Sequence, residues 1–226
     1  MAKVSIVGVG PGSPDYVTPI ARKRVQSAQI VIGAERALDL FRGEMKGEIL
    51  KLTAKNMNEV LNYAVESARK GKKVALLSTG DPGFSGLLKT FLKATSGREV
   101  EIEVVPGISS IQACAARLLM SWDEARLFTF HDGASPQKKR ELADTVKKGT
   151  EVLLFPNPKT FGPSNIARFL INEGVARETP AVVCENLTLD NEHAVSTVLN
   201  DILGKSFGSL CVMVISPSRQ QKGKKP

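Results

Sequence analysis

Short apolar runs that stop at glycine- and proline-rich turns, each followed by a helix-period segment, constrain this chain more than any other feature. The runs at 4–9, 73–78 and 100–105 leave through Gly10-Pro11-Gly12, Gly80-Asp81-Pro82-Gly83 and Pro106-Gly107. Further strands are expected at 29–32, 49–52, 127–130, 150–155, 181–184 and 209–215. Helical spacing of apolar residues predicts helices at 18–28, 35–41, 56–70, 86–95, 108–120, 137–148 and 165–173. Up to residue 105 the strands alternate with helices, which indicates a mainly parallel sheet, and both halves of the chain read as α/β. In 226 residues this organisation fits two α/β domains, expected at 1–112 and 113–217, followed by a basic tail at 218–226 expected to be disordered. Two such domains leave a cleft between them, a favoured place for a small ligand.

Composition excludes several classes. No run approaches 18 apolar residues, so no membrane helix is expected, and the first residues have no signal-peptide pattern; the cytoplasm is the expected compartment. Cys114, Cys184 and Cys211 are odd in number and widely spaced, which argues against disulfides and zinc and for small core residues. No acidic or histidine cluster has metal-ligand spacing. The net charge of +8 suits an acidic small molecule, and the 5% aromatic content supplies a poor stacking surface for single-stranded nucleic acid.

The exit loops carry the chemistry. Gly8-Val9-Gly10-Pro11-Gly12-Ser13-Pro14 begins like a dinucleotide fingerprint, but Ser13 replaces the third glycine, and Pro11 and Pro14 interrupt the turn that would aim a helix amino terminus at pyrophosphate. The loop reads instead as a rigid wall that holds backbone close to a ligand, or as a plain strand exit. Asp81 places a carboxylate at the carboxyl end of a strand, between glycines that let backbone approach a ligand. Ser109 and Ser110 offer two hydroxyls at a helix start, as ligand contacts or as helix caps. A P-loop is absent, Gly83-Phe84-Ser85-Gly86 falls one residue short of a nucleophile elbow, and two histidines, His131 and His193, leave little for a hydrolase triad.

Taken together, Val7-Gly8-Val9-Gly10-Pro11-Gly12, Gly80-Asp81-Pro82, Val105-Pro106-Gly107-Ile108-Ser109-Ser110 and Val183-Cys184-Glu185-Asn186-Leu187 resemble, in order and spacing, the signatures of the tetrapyrrole methyltransferases. The resemblance covers about residues 3 to 216. It implies two α/β domains of the tetrapyrrole methylase type, a class III arrangement with S-adenosylmethionine folded into the interdomain cleft. The cofactor would be lined by Val9, Gly10, Pro11, Gly80, Asp81, Phe84, Ser109, Ser110 and Phe155, with Glu185, Asn186, Leu187 and Leu210 nearby. Residues 10–19, 31–36 and 80–87 resemble the precorrin-6Y methylase branch. That branch implies methylation of carbon 5 of cobalt-precorrin-7 or precorrin-7 in cobalamin biosynthesis, by a homodimer. Methylation at carbon 15, with decarboxylation, would then fall to a separate polypeptide.

The chain departs from the family at Phe130-His131-Asp132-Gly133, where relatives often carry His-Gly-Arg. His131 and Asp132 are the candidates for a general base, should a proton have to leave. Arg36, Arg117 and Lys159 are candidate contacts for the carboxylates of a precorrin. Other readings are a family member acting at a different ring carbon, a diphthine-type methylase with a protein substrate, a dinucleotide-dependent α/β protein, and a basic RNA-binding protein.

Overall fold

The computed structural model describes residues 3–217; the basic tail predicted at 218–226 lies outside the described residues. The chain divides into two compact units, Met1–Ser110 and Ile111–Pro226.

Unit 1 contains strands β1 (Lys3–Gly8), β2 (Ile30–Gly33), β3 (Glu48–Lys51), β4 (Val74–Ser78) and β5 (Glu101–Val105), with helices α1 (Pro19–Ser27), α2 (Glu35–Asp39), α3 (Met57–Arg69) and α4 (Leu88–Ala94). The strands lie in the order β3-β2-β4-β1-β5. Every pairing is parallel, with Val4 opposite both Val74 and Ile102. The two faces of the sheet explain the apolar runs. Val4, Ile6, Ile30, Ile32, Val74 and Leu76 pack with Val60, Leu61, Ala64, Val65 and Ala68 of α3. Val7, Val31, Ala75 and Leu77 point the other way, against Ala21 and Val25 of α1 and Ala37 and Leu38 of α2. A parallel sheet covered on both faces needs strands without a polar side. Helix α1 begins where Thr18 Oγ1 accepts from the Ala21 amide at 3.2 Å, with Pro19 at its first position.

Unit 2 contains β6 (Arg126–Thr129), β7 (Val152–Phe155), β8 (Pro180–Glu185), β9 (His193–Val198) and β10 (Cys211–Ile215), with α5 (Ser110–Arg117, starting at the last residue of unit 1), α6 (Pro136–Lys147), α7 (Pro163–Asn172) and α8 (Leu199–Ile202). Its order is β6-β7-β10-β8-β9. Here the sheet is mixed. Strands β6 and β7 are parallel, but β10 runs antiparallel to β7 and β8, and β9 antiparallel to β8. The segment 186–192 between β8 and β9 is too short for the crossover of a dozen or more residues that a parallel neighbour needs, so the chain must turn back. Strand β9 and helix α8 were not expected from the sequence. Strand β9 sits at the sheet edge, and its side chains are exposed or half-buried, so it lacks an apolar run. Phe130 and Phe161 meet edge-on at 4.9 Å in the core of this unit. None of the helices among the described residues is long and apolar enough to cross a membrane.

The edge strand β5 is tied down by charge. Glu103 accepts from Arg24 Nε and an Arg24 terminal nitrogen, both at 2.8 Å, and from Ser5 Oγ at 2.7 Å, with Lys3 Nζ 3.2 Å away. The Arg24 guanidinium, helped by Ser5 and Lys3 and opposed by burial, holds the Glu103 carboxyl down at about 2. The bidentate arginine geometry favours the ionised carboxylate. A depressed carboxyl contributes stability above its unfolded value of 4.5, and the contribution is lost as pH falls through about 2. Glu103→Gln is therefore expected to lower the thermal midpoint at neutral pH. The gap from the unmodified chain should close as pH is lowered through that window, as measured by calorimetry. A gap that stays constant with pH would assign the effect to packing.

Candidate functional site

Three neighbouring strands of unit 1, β4, β1 and β5, end side by side, and their exit loops carry the residues singled out in the sequence. Backbone pairing continues past the strand ends. The Val9 amide donates to Ser78 O at 3.0 Å, and the Gly80 amide to Gly10 O at 2.8 Å. A Cβ on Gly8 would lie 2.5 Å from Gly107 N and 2.9 Å from Gly80 O, and one on Gly107 would lie 2.4 Å from Gly80 O. These are backbone atoms that cannot swing aside, so positions 8 and 107 exclude any side chain. Gly80 has φ 69°, in the left-handed region, yet the nearest atom to a Cβ there is Ser109 Cα at 3.8 Å. Gly80 is thus required for its conformation rather than for lack of space.

Asp81 locks this arrangement. Its Oδ1 accepts from the Gly83 amide at 2.7 Å, and its Oδ2 from the Gly107 amide at 3.1 Å. The first bond closes an Asx-type turn, and the second spans from the β4 loop to the β5 loop. The turn then folds back on itself: Ser78 Oγ accepts from the Leu87 amide at 3.1 Å, and a Cβ on Gly86 would lie 2.5 Å from Asp81 O. Pro11 is buried, Phe84 is half-buried, Ser109 is buried and Ser110 opens α5. Val9 is fully buried among apolar residues of unit 1, so its side chain serves the core and its backbone faces the loop.

The first loop does not make a dinucleotide turn. Strand β1 ends at Gly8 and α1 starts at Pro19, with a three-residue 3-10 turn, Pro14–Tyr16, capped by Ser13 in between, so no α-helix amino terminus follows the glycines directly. The segments 8–12, 79–83 and 106–110 contain no lysine or arginine and one carboxylate, Asp81. Such a lining repels phosphate and suits a cation.

In unit 2 the expected residues lie at strand ends and in the loop after β8. Phe155 is the last residue of β7, and the His131 ring lies 6.5 Å from it, centroid to centroid. His131 and Asp132 are both exposed. Glu185 ends β8 and is buried, and its carboxylate is used within the unit. It accepts from the Gly208 amide and lies 2.9 Å from His193 Nε2. The Asn186 amide donates to Leu210 O at 2.9 Å, which brings those two positions together. Asn186 (φ 53°) and Thr188 (φ 69°) both take the left-handed conformation. That is ordinary for asparagine and costly for a β-branched threonine. Glu192 restrains the bend by accepting from the Thr188 amide at 2.6 Å and from Arg117 Nε at 3.0 Å.

Arg117 is therefore an ion-pair partner of Glu192, whereas Arg36 and Lys159 are exposed. Sequence reasoning missed His193, Gly208 and Glu192, whose partners are distant in the chain. Burial pushes the Cys211 thiol up to about 12, and Cys184 with burial pushes Cys114 up, so neither is a nucleophile. Gly107→Ala is expected to cost about 1–3 kcal/mol through forced backbone displacement. Urea unfolding should show it, and a neutral result would mean the three loops can separate freely.

A family model for tetrapyrrole (corrin/porphyrin) methylases matches residues 3–203. A probable cobalt-precorrin-7 C(5)-methyltransferase of Methanocaldococcus jannaschii is 39% identical, covering 93% of this chain and 96% of that protein. An S-adenosyl-L-methionine-dependent uroporphyrinogen III methyltransferase of Methanosarcina barkeri is 30% identical over 88% of this chain and 83% of its own length. Among solved structures, the cobalt precorrin-4 methyltransferase CbiF superposes with a TM-score of 0.77 at 26% identity, covering 95% of this chain and 94% of that one. A family match of this extent, over a fold whose three glycine-bearing strand ends converge, shows that the chain belongs to the tetrapyrrole (corrin/porphyrin) methylases.

Proposed function

We propose that this chain transfers a methyl group from S-adenosylmethionine to carbon 5 of cobalt-precorrin-7 or precorrin-7, as a cytoplasmic homodimer in cobalamin biosynthesis. The observation that carries the cofactor assignment is the strand-end cradle of unit 1, where Gly8, Gly80 and Gly107 bring three backbones together beside the Asp81 carboxylate and no cationic side chain. S-adenosylmethionine carries a sulfonium, an amino-acid group, ribose hydroxyls and adenine, and no phosphate. Backbone groups, a carboxylate and hydroxyls match that set, and a lysine or arginine beside the sulfonium would oppose it. The choice of carbon 5 rests on the 39% identical relative and its printed activity.

When bound, the cofactor supplies an electrophilic methyl carbon, and the tetrapyrrole supplies the ring carbon that attacks it. The chain's work is to bind and align. Gly8, Gly80 and Gly107 hold three loops in one rigid surface, and Asp81 fixes their separation. Val9, Gly10, Pro11, Phe84, Ser109 and Ser110 extend that surface, and from unit 2 Phe155, Glu185, Asn186, Leu187 and Leu210 are assigned to the same cofactor. For Glu185 the contribution is through the backbone, since its carboxylate holds His193 and Gly208. Positioning of this kind can supply roughly 7–11 kcal/mol of barrier lowering. His131 and Asp132 are exposed and able to take a proton from the substrate. Arg36 and Lys159 are exposed cations able to meet substrate carboxylates.

Calorimetric titration with S-adenosylhomocysteine, with NADH as control, tests the cofactor assignment. Binding of the first alone, near one site per chain, is expected; binding of NADH alone would return the first loop to a dinucleotide role. Asp81→Ala should weaken S-adenosylhomocysteine binding about tenfold or more, since it frees the Gly107 amide and removes the carboxylate, each contact of this kind contributing about 1.5–3 kcal/mol. Unchanged affinity in a folded Asp81→Ala chain would take Asp81 out of the site.

A further inference from the structure

Two strand-end loops of unit 2 are joined by one side chain that no motif singles out. Asn157 follows Phe155 by two residues. Its Oδ1 accepts from the amides of Lys159 and Thr160, both at 3.0 Å. Its Nδ2 donates to Phe130 O and to His131 O, both at 3.2 Å, reaching residues 27 and 26 positions earlier in the chain. The Asn157 backbone is paired as well: its amide donates to Phe161 O at 3.1 Å, and its carbonyl accepts from the Phe161 amide at 3.0 Å. Every hydrogen-bonding group of the residue is thereby engaged. An asparagine that only shaped its own turn would need the Oδ1 bonds alone. The two Nδ2 bonds serve another loop.

That other loop carries His131. Its approach is set from the β6 side by the Phe130 amide donating to Phe155 O at 2.8 Å, and by Lys138 Nζ donating to Thr129 O. Past Phe130 the ladder between β6 and β7 ends; the Phe130 carbonyl also accepts from the Gly133 amide at 2.9 Å, and Asn157 adds the bond that ties it, with the His131 carbonyl, to the loop after β7. The amide side chain takes over from the sheet at the point where the His131 ring comes to lie 6.5 Å from the Phe155 ring.

We infer that Asn157 is a positioning residue for methyl transfer, which fixes the His131 loop against the Phe155–Lys159 loop. The inference rests on the methyltransferase reading for its catalytic part, because Phe155 is assigned there to the cofactor and His131 to the substrate. Asn157 touches neither and acts through the two loops. A shift of about 1 Å in such a position can cost about a hundredfold in rate.

The test uses the full chain with two substitutions. Asn157→Ala removes all four side-chain bonds. Asn157→Asp keeps an acceptor for the Lys159 and Thr160 amides and loses both donors, so it preserves the turn and guards against misfolding. The chain has two histidines, and their imidazole resonances report separately on His131 and on His193, which is held by Glu185 and serves as an internal control. In both variants the His131 signals should move and those of His193 should not. The kcat for methylation should fall about tenfold or more, while affinity for S-adenosylhomocysteine changes less than about threefold. Unmoved His131 signals, or an unchanged kcat in folded Asn157→Asp, would overturn the inference. An unmodified chain that fails to bind S-adenosylhomocysteine would instead overturn the reading on which the catalytic part rests.

Discussion

The close approach of three backbones at Gly8, Gly80 and Gly107 is the constraint on which the rest of unit 1 depends. Distances of 2.4–2.9 Å from a hypothetical Cβ to backbone atoms leave no room for a methyl group at positions 8 and 107. The strands β4, β1 and β5 can end level and adjacent only because those side chains are missing. Asp81 then turns proximity into rigidity, with one carboxylate accepting from the amides of its own turn and of the neighbouring loop. The same residues therefore define the fold at its functional edge and the surface presented to a ligand. In open α/β sheets the carboxyl ends of the strands are where ligands bind.

Charge decides what kind of ligand. The exit loops hold backbone dipoles, hydroxyls and one carboxylate, and the basic side chains of unit 1 that are held in strong pairs serve structure elsewhere, as Arg24 and Lys3 do with Glu103. A phosphate-bearing cofactor would need the reverse distribution, together with a helix amino terminus close behind the glycines. The ten residues 9–18 between β1 and α1 hold a three-residue 3-10 turn, Pro14–Tyr16, and no α-helix amino terminus. In unit 2 the strand ends are organised by side chains. Glu185 holds His193 and Gly208, Glu192 holds Thr188 and Arg117, and Asn157 holds the loops after β6 and β7.

Much of unit 1 was legible in the sequence because its determinants are local. Buried parallel strands such as 73–78 read as continuous apolar runs, and α3 shows its apolar face at helical spacing. The glycine positions were visible as motifs, and a glycine next to a proline at a strand end announces a backbone requirement by itself. The reason for each glycine was not legible, because the clash at Gly8 is with Gly107, far along the chain. In unit 2 strand direction was not legible, since an apolar run such as 211–215 carries no sign of the sense in which it pairs. Strand β9 escaped because an edge strand with half-exposed side chains has no pattern that distinguishes it from a loop. Glu185 appeared in a motif that suggested ligand contact, whereas its carboxylate is spent on His193 and Gly208. A carboxylate's partners depend on long-range pairing that residue order does not encode locally.

The central claim is that this chain methylates carbon 5 of a precorrin-7-type ring. The most direct measurement is mass spectrometry, with fragment assignment, of cobalt-precorrin-7 incubated with the purified chain and S-adenosylmethionine. The account predicts a gain of one methyl group located at carbon 5, with S-adenosylhomocysteine formed in equal amount. Binding of the cofactor without any mass gain, or a methyl group at another ring carbon, would contradict it.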